Sequence, residues 1–338
     1  MSTFRKVMEE ARMGRLIIYA GNSNLPLARE IAHRAGSRLS EATVESFPDG
    51  ETRVRLEESV RGADVFIIQS ICPPANHHLM ELLLMIDAAR RASAKRVTAV
   101  IPYYAYARQE KKLTGREPIS AKLVANLIAT AGADRVLTVD LHSPAIEGFF
   151  DIPVDHLRSA PIMADYLREL GLSNLVVVSP DVGGVKRANR LRQFLDAKAS
   201  LAVVFKERPE EPTAPAILGM VGEVEGKTAL IIDDIIATGA TIIEAAEVLV
   251  KRGARKIYVC AIHPVFAPGA VENLLAAPIE KIVVTNTIPI PSGLGERVVV
   301  VDMAPLLAEA IRYIHEGRSM TTLFEKVEAE WRAERARS

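Results

Sequence analysis

Short runs rich in valine and isoleucine recur along the chain, each followed by a stretch of helical period. That alternation leaves few options other than parallel sheets covered by helices. The runs fall at residues 16–20, 65–69, 97–101 and 136–139, then at 175–179, 201–205, 229–232, 256–260 and 281–285. Most lack polar alternation, as strands buried on both faces require. Helices are predicted over 79–91, 121–131, 159–170, 185–195 and 242–252, with Gly171 and Gly253 placed to stop two of them. A fresh helix and a fresh strand series begin after Phe149-Phe150-Asp151-Ile152-Pro153, so a boundary is set near residue 158. The expected fold is α/β, in two units of similar size, each a mostly parallel sheet flanked by helices. Residues 321–338 read as a charged helical tail, with two alternatives: Trp331 docks it, or its last few residues fray.

Composition narrows the function. Lys+Arg and Asp+Glu each number 42 among the 338 residues, so the net charge is zero. There is no general attraction to nucleic acid or to an anionic membrane, and any polyanion has to be bound at a specific site. Cys72 and Cys260 both stand in apolar stretches, which fits buried thiols in a reducing compartment rather than a disulfide framework. Residues 1–15 mix Arg, Lys and Glu and lack a signal peptide's apolar segment. No apolar run approaches the roughly 18 residues of a membrane-spanning helix. The chain reads as cytoplasmic.

The strongest local signal runs from Ala229 to Thr241. A buried strand ends in Asp233 and Asp234, a turn of small residues follows (Ala237, Thr238, Gly239, Ala240), and a helix opens near Ile242. Small residues let backbone amides approach an anion, and the helix N-terminus adds free N–H groups and partial positive charge. Thr238 and Thr241 offer hydroxyl donors. The two acids sit at the carboxyl end of a strand, where ligands bind in open α/β sheets and where adjacent sugar hydroxyls would find acceptors. The alternative is a capped strand-to-helix turn with solvated acids.

This segment resembles the phosphoribosyl-diphosphate-binding loop shared by phosphoribosyltransferases and ribose-phosphate diphosphokinases. The resemblance implies that Asp233 and Asp234 hold the ribose 2- and 3-hydroxyls and that Ala237, Thr238, Gly239, Ala240 and Thr241 cradle the 5-phosphate. One departure stands out: the diphosphokinases usually carry a third acid at the position of Ala237.

Other segments separate the two families. Phe47-Pro48-Asp49-Gly50-Glu51 resembles the Phe-x-Asp-Gly-Glu of the diphosphokinases, where the ring packs on adenine; read alone it is a turn with a partly buried ring. Tyr106-Ala107-Arg108-Gln109-Glu110 resembles their Tyr-Ala-Arg-Gln-Asp, with Glu110 one methylene longer than the family's acid. An arginine after a strand suits stacking on a base or forking a phosphate. Ser120 is a candidate cap for the helix after it. His142, in Asp140-Leu141-His142, and Asp181, in Ser179-Pro180-Asp181, both follow buried strands. By resemblance they lie near magnesium–ATP, with Asp181 the more natural ligand because magnesium prefers oxygen. His142 is then a metal ligand or a hydrogen-bonder to a phosphate oxygen or metal-bound water. Lys206 and Arg208 stand at the root of a Pro-rich loop and resemble the catalytic cations of the family's flexible loop.

The resemblance covers about residues 14–325, with the motifs in family order. It implies a ribose-phosphate diphosphokinase built of two phosphoribosyltransferase-like domains: 1–158 on the ATP side, 159–303 on the ribose 5-phosphate side, and a helical tail, 304–338, packed on the first. ATP is held by Phe47, Asp49, Glu51, Arg108, Gln109 and His142, with Mg2+ as cofactor and a homo-oligomer, a hexamer or another dimer-based assembly, as the working form. Two other readings exist. A nucleobase phosphoribosyltransferase accounts for residues 233–241 but not for the segments around Phe47, Arg108 and Lys206. A non-catalytic regulatory paralogue accommodates Ala237 and Glu110 but has no need of a charged loop.

Overall fold

The computed structural model describes residues 14–195, 198–207 and 217–326. The described residues form two compact units: 14–157 with 287–289 and 303–326, and 158–286 with 290–302.

The first unit opens with β1 (Leu16–Ala20) and α1 (Leu25–Arg34), then β2 (Ala42–Ser46), β3 (Thr52–Leu56) and β4 (Asp64–Ile68). It continues through α2 (Ala75–Arg91), β5 (Arg96–Ile101), α3 (Ser120–Ala131), β6 (Arg135–Val139) and β7 (Val154–Leu157). Five strands make one parallel sheet in the order β1-β4-β5-β6-β7. Every residue of β4 is buried, which is why its sequence shows no alternation. β2 and β3 form a separate antiparallel hairpin with no fully buried residue. The helix predicted over 79–91 begins four residues earlier, behind Pro74.

The second unit contains α4 (Ala160–Glu169), β8 (Leu175–Ser179), α5 (Val185–Leu195), β9 (Ser200–Glu207) and β10 (Ile217–Val221). Then come β11 (Thr228–Ile236), α6 (Ala240–Lys251), β12 (Lys256–Pro264), α7 (Ala270–Ala276), β13 (Lys281–Thr285) and β14 (Val298–Val301). Its sheet runs β10-β9-β8-β11-β12-β13-β14, parallel except for β10. The two-residue period of the strands divides the core. Val176, Val178, Ile231 and Val259 pack with Ile242, Ala246 and Leu249 of α6; Val177, Leu230, Ile232 and Cys260 pack with Met163 and Leu167 of α4 and Leu191 of α5. Each such large side chain taken out of water contributes about 1.5–3 kcal/mol. Gly171 and Gly253 follow α4 and α6 with φ of 60° and 81°, the left-handed stops that the sequence called for. Cys72 and Cys260 are buried thiols.

α8 (Ala304–His315) belongs to the first unit and packs on α1. Arg96 forks the buried Asp64 at 2.7 and 2.5 Å and also donates to the Ile314 carbonyl at 2.8 Å. His315 Nδ1 lies 2.8 Å from the same carboxylate. Residues 320–326 are helical, and Trp331 lies outside the described residues. No helix among the described residues is long and apolar enough to cross a membrane.

Candidate active site

The carboxyl end of the second sheet gathers most of the chemistry. β11 does not stop before its acids: parallel pairing with β12 runs on from Asp233↔Ala261 to Ile236↔Pro264, so Asp233 and Asp234 lie inside the strand. Asp234 is only 3% exposed. Both acids share one cation, Arg187 in the first turn of α5. Its Nη1 is 3.2 Å from Asp233 Oδ1 and its Nη2 is 3.1 Å from Asp234 Oδ1. Asp233 also accepts the Asp234 N–H at 2.8 Å. Burial, and then the neighbouring Asp234 charge, push the Asp233 carboxyl up to about 7, with Arg187 pulling the other way.

The turn that follows is fixed through its backbone. Phe266 and Ala267 donate to the carbonyls of Ile236 and Ala237 at 3.0 and 2.9 Å. The side chain of residue 237 takes no part in those bonds, so a methyl group there is compatible with the turn. Gly239 caps α6 with φ 78°, and a Cβ on it would come within 2.9 Å of the Leu274 side chain. Only glycine fits both constraints. The helix begins at Ala240, earlier than the periodicity suggests, so the amides of residues 239–241 belong to its N-terminus, where N–H groups lack helical partners. Thr238, Ala240 and Thr241 are exposed there.

Asp181 stands past β8 in the same unit, exposed and oriented by two bonds. Its Oδ1 accepts from Gly184 N–H at 2.7 Å, and its carbonyl accepts from the Ser179 hydroxyl at 2.7 Å. One carboxylate oxygen remains for a cation. Among the described residues no group of three or more His, Cys, Asp and Glu is assembled for a metal. Magnesium held by one carboxylate, phosphate oxygens and waters requires none, so Asp181 suits that ion. Lys206 lies on β9, paired with Leu218 of β10, and Arg208 falls outside the described residues.

The remaining predicted residues lie in the first unit. Phe47, Asp49 and Glu51 form the tip of the β2–β3 hairpin, closed by Phe47 N–H to Glu51 O at 2.8 Å and Glu51 N–H to Asp49 Oδ1 at 3.1 Å. Phe47 is 45% exposed. Arg108 and Gln109 follow Tyr106, whose φ is 62°, in a turn closed by Gln109 N–H to Tyr106 O at 2.8 Å. Arg108 is exposed. Ser120 does not cap α3: Ile119 holds that position, and the Ser120 hydroxyl donates to Gln109 Oε1 at 2.6 Å, orienting that amide. His142 is half-buried just past β6.

Sequence reasoning missed Arg187. Only the fold reveals that this cation, in the first turn of α5, faces the two acids.

Paired acids beside a helix N-terminus, at the carboxyl end of a parallel sheet, set hydrogen-bond acceptors next to amides that can face an anion. Comparison with known proteins narrows the class. A model of the N-terminal domain of ribose phosphate pyrophosphokinase matches residues 16–132, and a model of the phosphoribosyl synthetase-associated domain matches residues 196–325. The ribose-phosphate pyrophosphokinase of Aquifex aeolicus is 51% identical, across 91% of this chain and 98% of its own. That of Bacillus caldolyticus is 50% identical, across 92% and 98%. The crystal structure of phosphoribosylpyrophosphate synthetase from Mycobacterium smegmatis shares the fold at a TM-score of 0.85 and 42% identity, covering 90% of this chain and 99% of that one. The chain belongs to the ribose-phosphate pyrophosphokinase family.

Proposed function

We propose that this enzyme transfers the diphosphoryl group of ATP to the 1-hydroxyl of ribose 5-phosphate, giving phosphoribosyl diphosphate and AMP. The observation that carries the reading is the Asp233–Asp234 pair set one turn before the Gly239 cradle, in a chain about half identical to enzymes of that name over nearly its full length.

The amides of residues 237–241 hold the sugar's 5-phosphate, and Asp233 and Asp234 accept from its 2- and 3-hydroxyls. The hairpin tip with Phe47, Asp49 and Glu51, and the turn with Arg108 and Gln109, hold the nucleotide; the exposed ring and guanidinium are available for stacking on the base. His142 hydrogen-bonds a phosphate oxygen or a metal-bound water. Asp181 would hold Mg2+, and a bound ion would supply positive charge to offset that of the ATP phosphates. The 1-oxygen of the sugar attacks the β-phosphorus in line, the bond from that phosphorus to the α-phosphate oxygen breaks, and AMP leaves. Little covalent work falls to the protein in such a transfer; it positions the reactants and stabilises charge, here with Lys206 and Arg208. A cytoplasmic setting and a dimer-based homo-oligomer, the hexamer included, complete the reading and rest on the likeness to the family.

Arg208→Ala tests the charge-stabilising step. Turnover falls on the order of 10³-fold, as when an arginine is removed from a phosphoryl transition state, while the ATP dissociation constant stays within about threefold. An equal loss in both contradicts the assignment.

A further inference from the structure

His142 hangs from a backbone turn that local geometry does not favour. Asp140, the residue that leaves β6, has a φ of 35°, in the region that L side chains seldom occupy. Two bonds from the neighbouring strand β7 hold the turn in place. The Asp140 N–H donates to the Leu157 carbonyl at 3.0 Å, and the Leu141 N–H donates to Nε2 of His156 at 2.7 Å. The second is unusual, because a side chain takes over the ladder where strand pairing ends at Val139↔Leu157.

That bond fixes the state of the imidazole. A backbone N–H can only donate, so Nε2 of His156 carries a lone pair and the ring's proton sits on Nδ1. Nδ1 lies 2.5 Å from Glu147 Oε1, on the 3-10 turn that follows His142, and donates to it. A doubly protonated ring would set N–H against N–H at Leu141. The His156 side chain is 3% exposed and that of Glu147 is 40% exposed, so the histidine is locked within the fold and its orienting carboxylate reaches in from the surface.

We infer that His156, held as its Nδ1–H tautomer by Glu147, is a positioning residue that fixes the turn carrying His142. Glu147, His156 and the Leu141 amide form one chain of hydrogen bonds ending a single residue from His142. This rests on the reading of His142 as a contact of the ATP phosphates or their metal-bound water; the relay itself does not touch substrate. Outer partners of this kind, which orient a working group through its neighbour, typically change activity 10–100-fold when removed.

The test uses the full-length protein with His156→Phe, which fills the space without an acceptor, His156→Gln, which can return an acceptor near the position of Nε2, and His142→Ala alone and with His156→Phe. Two readouts are taken: hydrogen exchange of the segment containing Leu141 without ligands, and kcat with KM for each substrate. His156→Phe speeds exchange at Leu141 and lowers kcat about 10–100-fold, with KM for ribose 5-phosphate within about twofold. His156→Gln stays within about threefold of wild type in both readouts. In the His142→Ala background His156→Phe costs little more, because residues acting as a unit are not additive. Should His156→Phe fail to fold, Glu147→Leu at its partly exposed position carries the same test, with the same direction of change in both readouts. Unchanged exchange, a glutamine variant as poor as the phenylalanine one, or the same loss with and without His142 overturns the inference. A wild-type kcat in His142→Ala instead sinks the role given to His142, and the positioning role with it, while the exchange result still shows whether His156 holds the turn.

Discussion

Nη1 of Arg187 lies 3.2 Å from Oδ1 of Asp233, and the other arm of the same guanidinium reaches Asp234 at 3.1 Å. One cation thereby offsets two adjacent, mostly buried carboxylates at the site proposed for the ribose diol. Arg187→Met leaves that repulsion unopposed. The side chains of Arg187 and Asp233 keep 22% and 17% exposure, so the loss of stability should be about 2 kcal/mol, below the 3–5 kcal/mol of a fully buried broken pair. KM for ribose 5-phosphate should rise more than KM for ATP. Steady-state kinetics and thermal unfolding check both; a variant with wild-type values in each contradicts the role.

The raised Asp233 carboxyl makes a signed prediction. Its ordinary value is 3.8 and its folded value is about 7, so the folded chain holds that proton more tightly than the unfolded chain does. Its contribution to stability is full below about pH 4 and is lost as pH rises through 7. Asp233→Asn has no such proton to lose. The stability of that variant relative to wild type should therefore grow by on the order of 2 kcal/mol between pH 5 and pH 8. Wild-type KM for ribose 5-phosphate should fall over the upper part of the same range, as the carboxylate becomes a full acceptor for the diol. A flat pH profile in both measurements counts against the shift.

Gly239→Ala sets a methyl group against Leu274 and forces an alanine to φ 78°. The expected cost is about 1–2 kcal/mol of stability and a rise of roughly tenfold in KM for ribose 5-phosphate, with KM for ATP little changed. Titration of the variant with each substrate separates the two; equal rises would mean that the turn does not belong to the sugar-phosphate site.

Asp64 ties α8 to the first unit through Arg96 and His315. Asp64→Ala strands a partly buried guanidinium and should cost about 3 kcal/mol. Limited proteolysis should then cut within or after α8 well before the rest of the unit. Wild-type resistance to protease would show that the helix is held by its apolar face alone.

Much of this architecture is legible in the sequence because parallel strands are buried on both faces and read as plain runs of Val and Ile. β1, β8 and β13 fall where those runs do. The hairpin strands β2 and β3 escape notice because they have no fully buried face and carry Glu and Arg. β7 and β14 are too short, at four residues each, to declare a period. The sequence stops β11 at its acids, since Asp is a poor strand former; pairing with β12 carries the strand through them, and Arg187 offsets their charge. The phosphate cradle is visible because glycine, threonine and alanine before a helix carry their meaning locally. Arg187 and His156 are not, because each acts across a gap in sequence: 46 residues from Arg187 to Asp233 and 15 from His156 to Leu141.

The most direct test is the fate of the phosphates. Purified protein is incubated with ATP, magnesium and ribose 5-phosphate, and the products are followed by phosphorus NMR and mass spectrometry. AMP and phosphoribosyl diphosphate formed in equal amounts is the predicted result, and it would show that Ala237 is tolerated in the loop. ADP with a ribose bisphosphate would mean transfer of a single phosphoryl group and would contradict the account.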